Sequence, residues 1–160
     1  MGWLARLLGS TDPRAVSVVC LCVLMVTMGP HGVLSGNEEQ YLAVAYRAVH
    51  PDSWPADSNL LGGFPHAMAF NQLMGHLIGW VGFGGGQAIG RALAIALYTV
   101  ALVRLWRVLA LSAGDLLFVL VAFVLFGESL VGNEWMFRGI EPKVPAYGFV
   151  LLALTALLEQ

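Results

Sequence analysis

Few groups in this chain can do polar chemistry. Ten Asp+Glu and eight Lys+Arg are spread over 160 residues, of which 58% are hydrophobic. The carboxylates of Glu38, Glu39 and Glu141 can accept a proton or hold a cation. Arg47, Arg91, Arg138 and Lys143 can hold an anion, the arginines by two-point contact with a carboxylate or phosphate. All but Arg91 lie in two polar stretches, 36–66 and 132–145; Arg91 opens an apolar run. Each also has a plain structural reading. Glu38 can cap a helix, Glu39 can face solvent, and Glu141 can pair with Lys143 or Arg138. Arg91 can snorkel from the first turn of its helix. Glu128, near the end of another apolar run, needs a partner or must reach an interface. His31, His50, His66 and His76 show no ligand spacing, so no metal and no cofactor is expected. Cys20 and Cys22, at i and i+2, diverge on a helix and read as apolar filler.

The elements that carry these groups are set by composition. Only 11% of residues are charged, against about 25% in soluble domains, and mean hydropathy is +0.76. One soluble domain of this length cannot hide that much apolar surface. Disordered and disulfide-rich secreted classes are excluded with it. A net charge of −2 leaves no basic face for nucleic acid. The expected class is all-α: a multi-pass transmembrane bundle with surface helices in its first outer loop.

Along the chain, residues 1–14 form a cytoplasmic N-terminus carrying Arg6 and Arg14. Residues 15–35 are uncharged and read as the first span. An outer loop, 36–85, holds two surface helices at about 38–50 and 66–83. Pro51 stops the first of them. In the second, Phe70, Leu73, Leu77 and Trp80 share a face, with Asn71, Gln72 and His76 away from it. Residues 86–108 are the second span, with Gly86 and Gly90 spaced for close packing and Arg104, Trp106 and Arg107 at its end. A cytoplasmic turn, 109–114, precedes a capping box of Ser112 and Asp115. Residues 115–132 are the third span and 133–145 the second outer loop. Residues 146–160 read as the start of a fourth span cut off by the end of the sequence. The tryptophans at 3, 54, 80, 106 and 135 read as interface anchors.

Placing 66–83 on the surface puts both acidic stretches on one side. The positive-inside rule mildly favours the rival arrangement, in which 66–83 spans. The surface reading is preferred because two histidines, two carboxamides and several glycines make a costly span.

Several motifs resemble one family. Asn37-Glu38-Glu39-Gln40-Tyr41 resembles the D-E-x-x-Y element after the first helix of membrane-embedded C-class glycosyltransferases (GT-C). The aminoarabinose lipid A transferases and protein O-mannosyltransferases belong there. Ala45-Tyr46-Arg47-Ala48 and Asp52-Ser53-Trp54 resemble the surface helix and its exit. Gly63-Phe64-Pro65-His66 and the 77–82 region resemble the second surface helix, and Gly90-Arg91-Ala92-Leu93 the start of the next span. Ile140-Glu141-Pro142-Lys143 resembles the second acidic element. The match covers residues 15–158, the N-terminal part of such enzymes. Where the family places its first Asp, this chain has Asn37; an amide cannot act as a base, so that role would pass to Glu38 or Glu39.

The resemblance implies sugar transfer from a polyprenyl-phosphate carrier to a hydroxyl or amine on the outer face of a bacterial inner membrane. Such chemistry needs a base near the acceptor and cations around the phosphate. Candidate catalytic bases are Glu38, Glu39 and Glu141. Candidate phosphate-binding groups are Arg47, Arg91, Arg138 and Lys143. Membrane lipid and a polyprenyl-phosphate sugar are the expected partners, and the piece alone is not expected to be active. Two other readings stand beside it. In one, a transporter or channel subunit lines a polar path with Glu128 and Arg91. In the other, a non-catalytic membrane protein uses its acidic elements only to shape surface helices.

Overall fold

The computed structural model describes residues 3–29, 38–53, 67–130 and 139–160, with the side chains of 3–5, 53 and 126–130 outside that description. All regular structure among the described residues is helical. The helices are α1 (Trp3–Leu8), α2 (Pro13–Met28), α3 (Glu38–Val49), α4 (Met68–Leu109), α5 (Ala113–Leu130) and α6 (Lys143–Leu158), with a short 3₁₀ turn at Pro51–Ser53.

Local chemistry accounts for several boundaries. Asp12 caps α2 by accepting from Arg14 N at 2.8 Å, and Pro13 supplies a first helical residue with no N–H to satisfy. At α5, Ser112 Oγ accepts from Asp115 N at 3.1 Å while Asp115 Oδ2 accepts from Ser112 N at 2.9 Å. That is the reciprocal capping box. Trp106 ends α4 differently from an interface anchor. Its ring is 5% exposed and its Nε1 donates to Leu111 O at 2.5 Å, which satisfies a carbonyl at the turn.

α4 is the hub, with α2, α3 and α6 packed on it; α5 packs on α2 and is touched by α1. It is also two arms. Gly82 has φ +74° and ψ 171°, outside helical space, and separates 68–81 from 83–109. Only glycine takes that conformation without penalty. The first arm folds back along the second: a Cβ at Gly86 would lie 2.7 Å from Ile78 Cγ1, although eight positions separate the two residues. One turn further on, Gly90 faces the tip of Met74 and the side chain of Ile140, so the arms diverge and Ile140 enters the wedge.

The first arm follows its apolar pattern only in part: Phe70 and Leu77 pack partly buried against the core, and Gln72 and His76 are exposed. Asn71, Met74, Gly75 and Ile78 are buried, whereas Leu73 is 66% and Trp80 82% exposed. The cause is close packing. A Cβ at Gly75 would meet Ala45 O at 2.2 Å, so only the small-residue side of the arm can approach α3. The core runs through Val16, Cys20, Leu24 and Met28 of α2, Leu42 and Ala45 of α3, and Ile95, Tyr98, Leu102 and Trp106 of the second arm.

α4 is the one helix among the described residues long and apolar enough to cross a membrane; Pro13–Met28, Ala113–Leu125 and Lys143–Leu158 are shorter apolar helices. At a rise of about 1.5 Å per residue the second arm alone is about 40 Å long, beyond the ~30 Å of a hydrocarbon core.

Candidate functional site

Glu38 opens α3 and is fully buried. A carboxylate out of water must be matched donor for donor, and here it is. Oε1 accepts from Arg91 Nε at 3.0 Å and from Ile140 N at 2.8 Å. Oε2 accepts from Arg91 Nη2 at 2.6 Å and from Gln87 Nε2 at 3.0 Å. Arg91 is 1% exposed and sends Nη1 to Gly29 O at 2.6 Å, at the C-terminal end of α2. Gln87 and Arg91 stand one helical turn apart on the second arm, so both reach the same carboxylate. Burial alone would raise the Glu38 pKa. The hydrogen bonds from Arg91, Ile140 and Gln87 and the guanidinium charge outweigh it and hold the carboxyl below its ordinary range.

One group thus joins the end of α2, the start of α3, the second arm of α4 and the entry to α6. Tyr98, two turns further along the second arm, holds α6 again by donating its hydroxyl to Val144 O at 2.9 Å. Between Ile140 and Val144 lie Glu141 and Lys143. Glu141 is 6% exposed, and Lys143 Nζ lies 3.2 Å from its Oε2 as an ion pair without hydrogen-bond alignment. Beside them, the wedge between the arms is an apolar cavity of about 270 Å³, lined by Met74, Leu93, Leu97, Ile140, Pro145 and Phe149 among others.

The structure therefore brings together Glu38, Arg91, Glu141 and Lys143. Glu38 accepts four hydrogen bonds, two of them from Arg91, and both side chains are buried, so neither faces an open site where it could take a proton or hold a phosphate. Glu39, next along α3, is exposed. Arg47 is half-buried near the end of α3, and its buried Nη1 has no hydrogen-bond partner. Arg138 and the Glu128 side chain lie outside the described residues, as do His31 and His66. His50 packs against Tyr46 with ring centroids 4.6 Å apart, and His76 is exposed. No cluster of metal-ligating side chains occurs among the described residues. Cys20 and Cys22 are free thiols, one buried and one exposed.

Sequence reasoning missed Gln87 and Tyr98 as members of this network. Gln87 carried a usable signal, a carboxamide one turn before an arginine in an apolar run. Tyr98 carried none, because an aromatic residue in an apolar helix reads as packing.

Compared with known proteins, the chain matches no family model, no curated protein and no solved structure.

Proposed function

We propose that this chain is a multi-pass helical protein of the bacterial inner membrane, built like the N-terminal part of a transferase that uses a polyprenyl-phosphate sugar. In this reading α2, the second arm of α4, α5 and α6 are spans. α3 and the first arm of α4 lie at the outer face, where the two polar connections meet. The observation that carries it is the 2.8 Å bond from Ile140 N to Glu38, which joins the first acidic stretch to the second.

The pattern of exposure supports a lipid setting. Phe118 is 75% exposed on α5; Phe149, Val150 and Leu157 are 63%, 60% and 66% exposed on α6. In the same helix Gly148 and Thr155 are buried. Apolar residues outside and small or polar residues inside is the arrangement a bilayer favours, since lipid tails give no drive to bury leucine while small residues allow close helix contact. A water-soluble monomer rarely exposes so much apolar surface.

The site divides the labour. Glu38 and Arg91 hold the scaffold. Glu141 and the exposed Glu39 are the carboxylates left to take the proton from an acceptor hydroxyl or amine as its oxygen or nitrogen attacks the sugar's anomeric carbon. Lys143, with Arg47 and Arg138, would stabilise the departing polyprenyl phosphate. The apolar wedge beside Glu141 and Lys143 suits the first part of a prenyl chain. The polar-path reading is less well supported, because Arg91 is locked to Glu38 and lines nothing open.

The test is sugar transfer from a labelled polyprenyl-phosphate sugar by the full natural protein in its membranes. Glu141→Gln is expected to lower transfer at least 100-fold with normal membrane insertion. Transfer that persists in the triple replacement of Glu38, Glu39 and Glu141 would favour a non-catalytic membrane protein.

A further inference from the structure

The resemblance suggests Glu38 as a base and Arg91 as a phosphate ligand; the geometry points to a different task for both. We infer that Glu38, Arg91 and Tyr98 are positioning residues that form a cradle fixing the Glu141–Lys143 pair, and that they do not touch substrate. The inference deepens the transferase reading and rests on it only for what the pair does once it is fixed.

The argument is geometric. The segment 140–144 is gripped at both ends: Glu38 Oε1 takes the Ile140 N–H, and Tyr98 gives its hydroxyl to Val144 O. Gly90 makes room between these grips, since a Cβ there would lie 2.9 Å from Ile140 Cγ1. Gln87, Arg91, Ala94 and Tyr98 follow one another at four-, three- and four-residue spacing, with Gly90 beside Arg91, so they line one stripe of the second arm. The carboxylate is the centre of the cradle because it alone bonds to both the stripe and Ile140. Arg91 in turn fixes that carboxylate by two contacts and anchors itself on Gly29 O, which takes three of its five N–H donors, and at 1% exposure the guanidinium faces no open site. Glu141 and Lys143 are the only ionisable residues inside the gripped segment. Their 3.2 Å separation is thus set by backbone held on either side.

The test reads the pair itself and needs no turnover. In the whole chain in lipid nanodiscs, with Cys22 replaced by Ser, a Glu141→Cys thiol is alkylated across a pH series. Held beside the Lys143 ammonium, this thiol should titrate below the ordinary cysteine value of about 8.5. Adding Glu38→Gln or, separately, Tyr98→Phe should move the alkylation midpoint up toward the ordinary value and raise the limiting rate about tenfold. Hydrogen exchange at residues 139–144 should quicken while that of α2 stays unchanged. Glu38→Asp, which keeps the charge, should restore part of the shift. The Tyr98→Phe variant, which removes one oxygen, covers the case in which Glu38→Gln does not fold. An unchanged midpoint in both variants, or exchange that rises equally in α2 and in 139–144, would overturn the cradle.

Discussion

The Glu38 carboxylate and the Arg91 guanidinium, 53 positions apart in sequence, meet in a two-point ion pair with contacts of 3.0 and 2.6 Å. Neither side chain is more than 2% exposed. Breaking such a pair from one side leaves an uncompensated charge away from water, which costs roughly 3–5 kcal/mol.

Arg91→Met should therefore destabilise the protein by about 3–5 kcal/mol, and Glu38→Gln with Arg91→Met together should recover much of the loss. Denaturant unfolding in detergent, arranged as a double-mutant cycle, measures this. A single-variant cost under about 1 kcal/mol, the size of an exposed pair, would contradict it.

The same pair gives a sign for pH. Glu38 has its folded pKa lowered from 4.5, so the unfolded state binds the proton more readily. Its stabilisation is fully present above the unfolded value and is lost as pH falls through the folded one. Midpoints of thermal unfolding should be level above about pH 5.5 and should drop on acidification below about pH 4.5. In Glu38→Gln the share of that drop owed to residue 38 should vanish.

The turn at Gly82 offers a third check. Ala there must adopt φ near +74° with ψ near 171°, at a cost of about 1–3 kcal/mol, although nothing lies within 4 Å of its Cβ. Gly82→Ala should lower stability by that amount with no change in packing elsewhere. Gly82→Asn should cost about as much as Ala, because the tolerance of Asn for positive φ is for αL and ψ 171° lies outside it. Equal stability of all three would show that the arms do not bend there.

What the chain discloses to a reader and what it withholds have separable causes. The helical class, the start of α3 at Glu38 and the Ser112–Asp115 box rest on local chemistry, composition and capping, which a sequence carries in adjacent letters. The glycine cluster 82–86 marked a break between two helices, but not that only Gly82 leaves helical space. The face of the first arm is legible only in part: Phe70 and Leu77 pack on the core and Gln72 and His76 stay exposed, but Leu73 and Trp80 point outward and Asn71 is buried. Here close approach of Gly75 to α3 decides the orientation, and close approach depends on the partner. Arg91 was read as a snorkelling or phosphate-binding side chain for the same reason: its partner lies 53 positions away. Lys143 with Glu141 is legible because they stand two positions apart.

Capping at α5 provides a fourth, small-scale check. Ser112→Ala removes the acceptor for Asp115 N and should cost about 1 kcal/mol, whereas Ser112→Asp, itself a capping residue, should cost less. Thermal unfolding distinguishes them, and an Ala variant as stable as the parent would show that the box contributes nothing.

The central claim is that the two acidic connections occupy one compartment, joined through Glu38 and Ile140. A membrane-impermeant maleimide, applied to sealed vesicles of either orientation carrying Glu39→Cys or Glu141→Cys, tests it most directly. The account predicts that both thiols react in the same vesicle orientation and are protected in the other. Reaction of the two from opposite sides would contradict it.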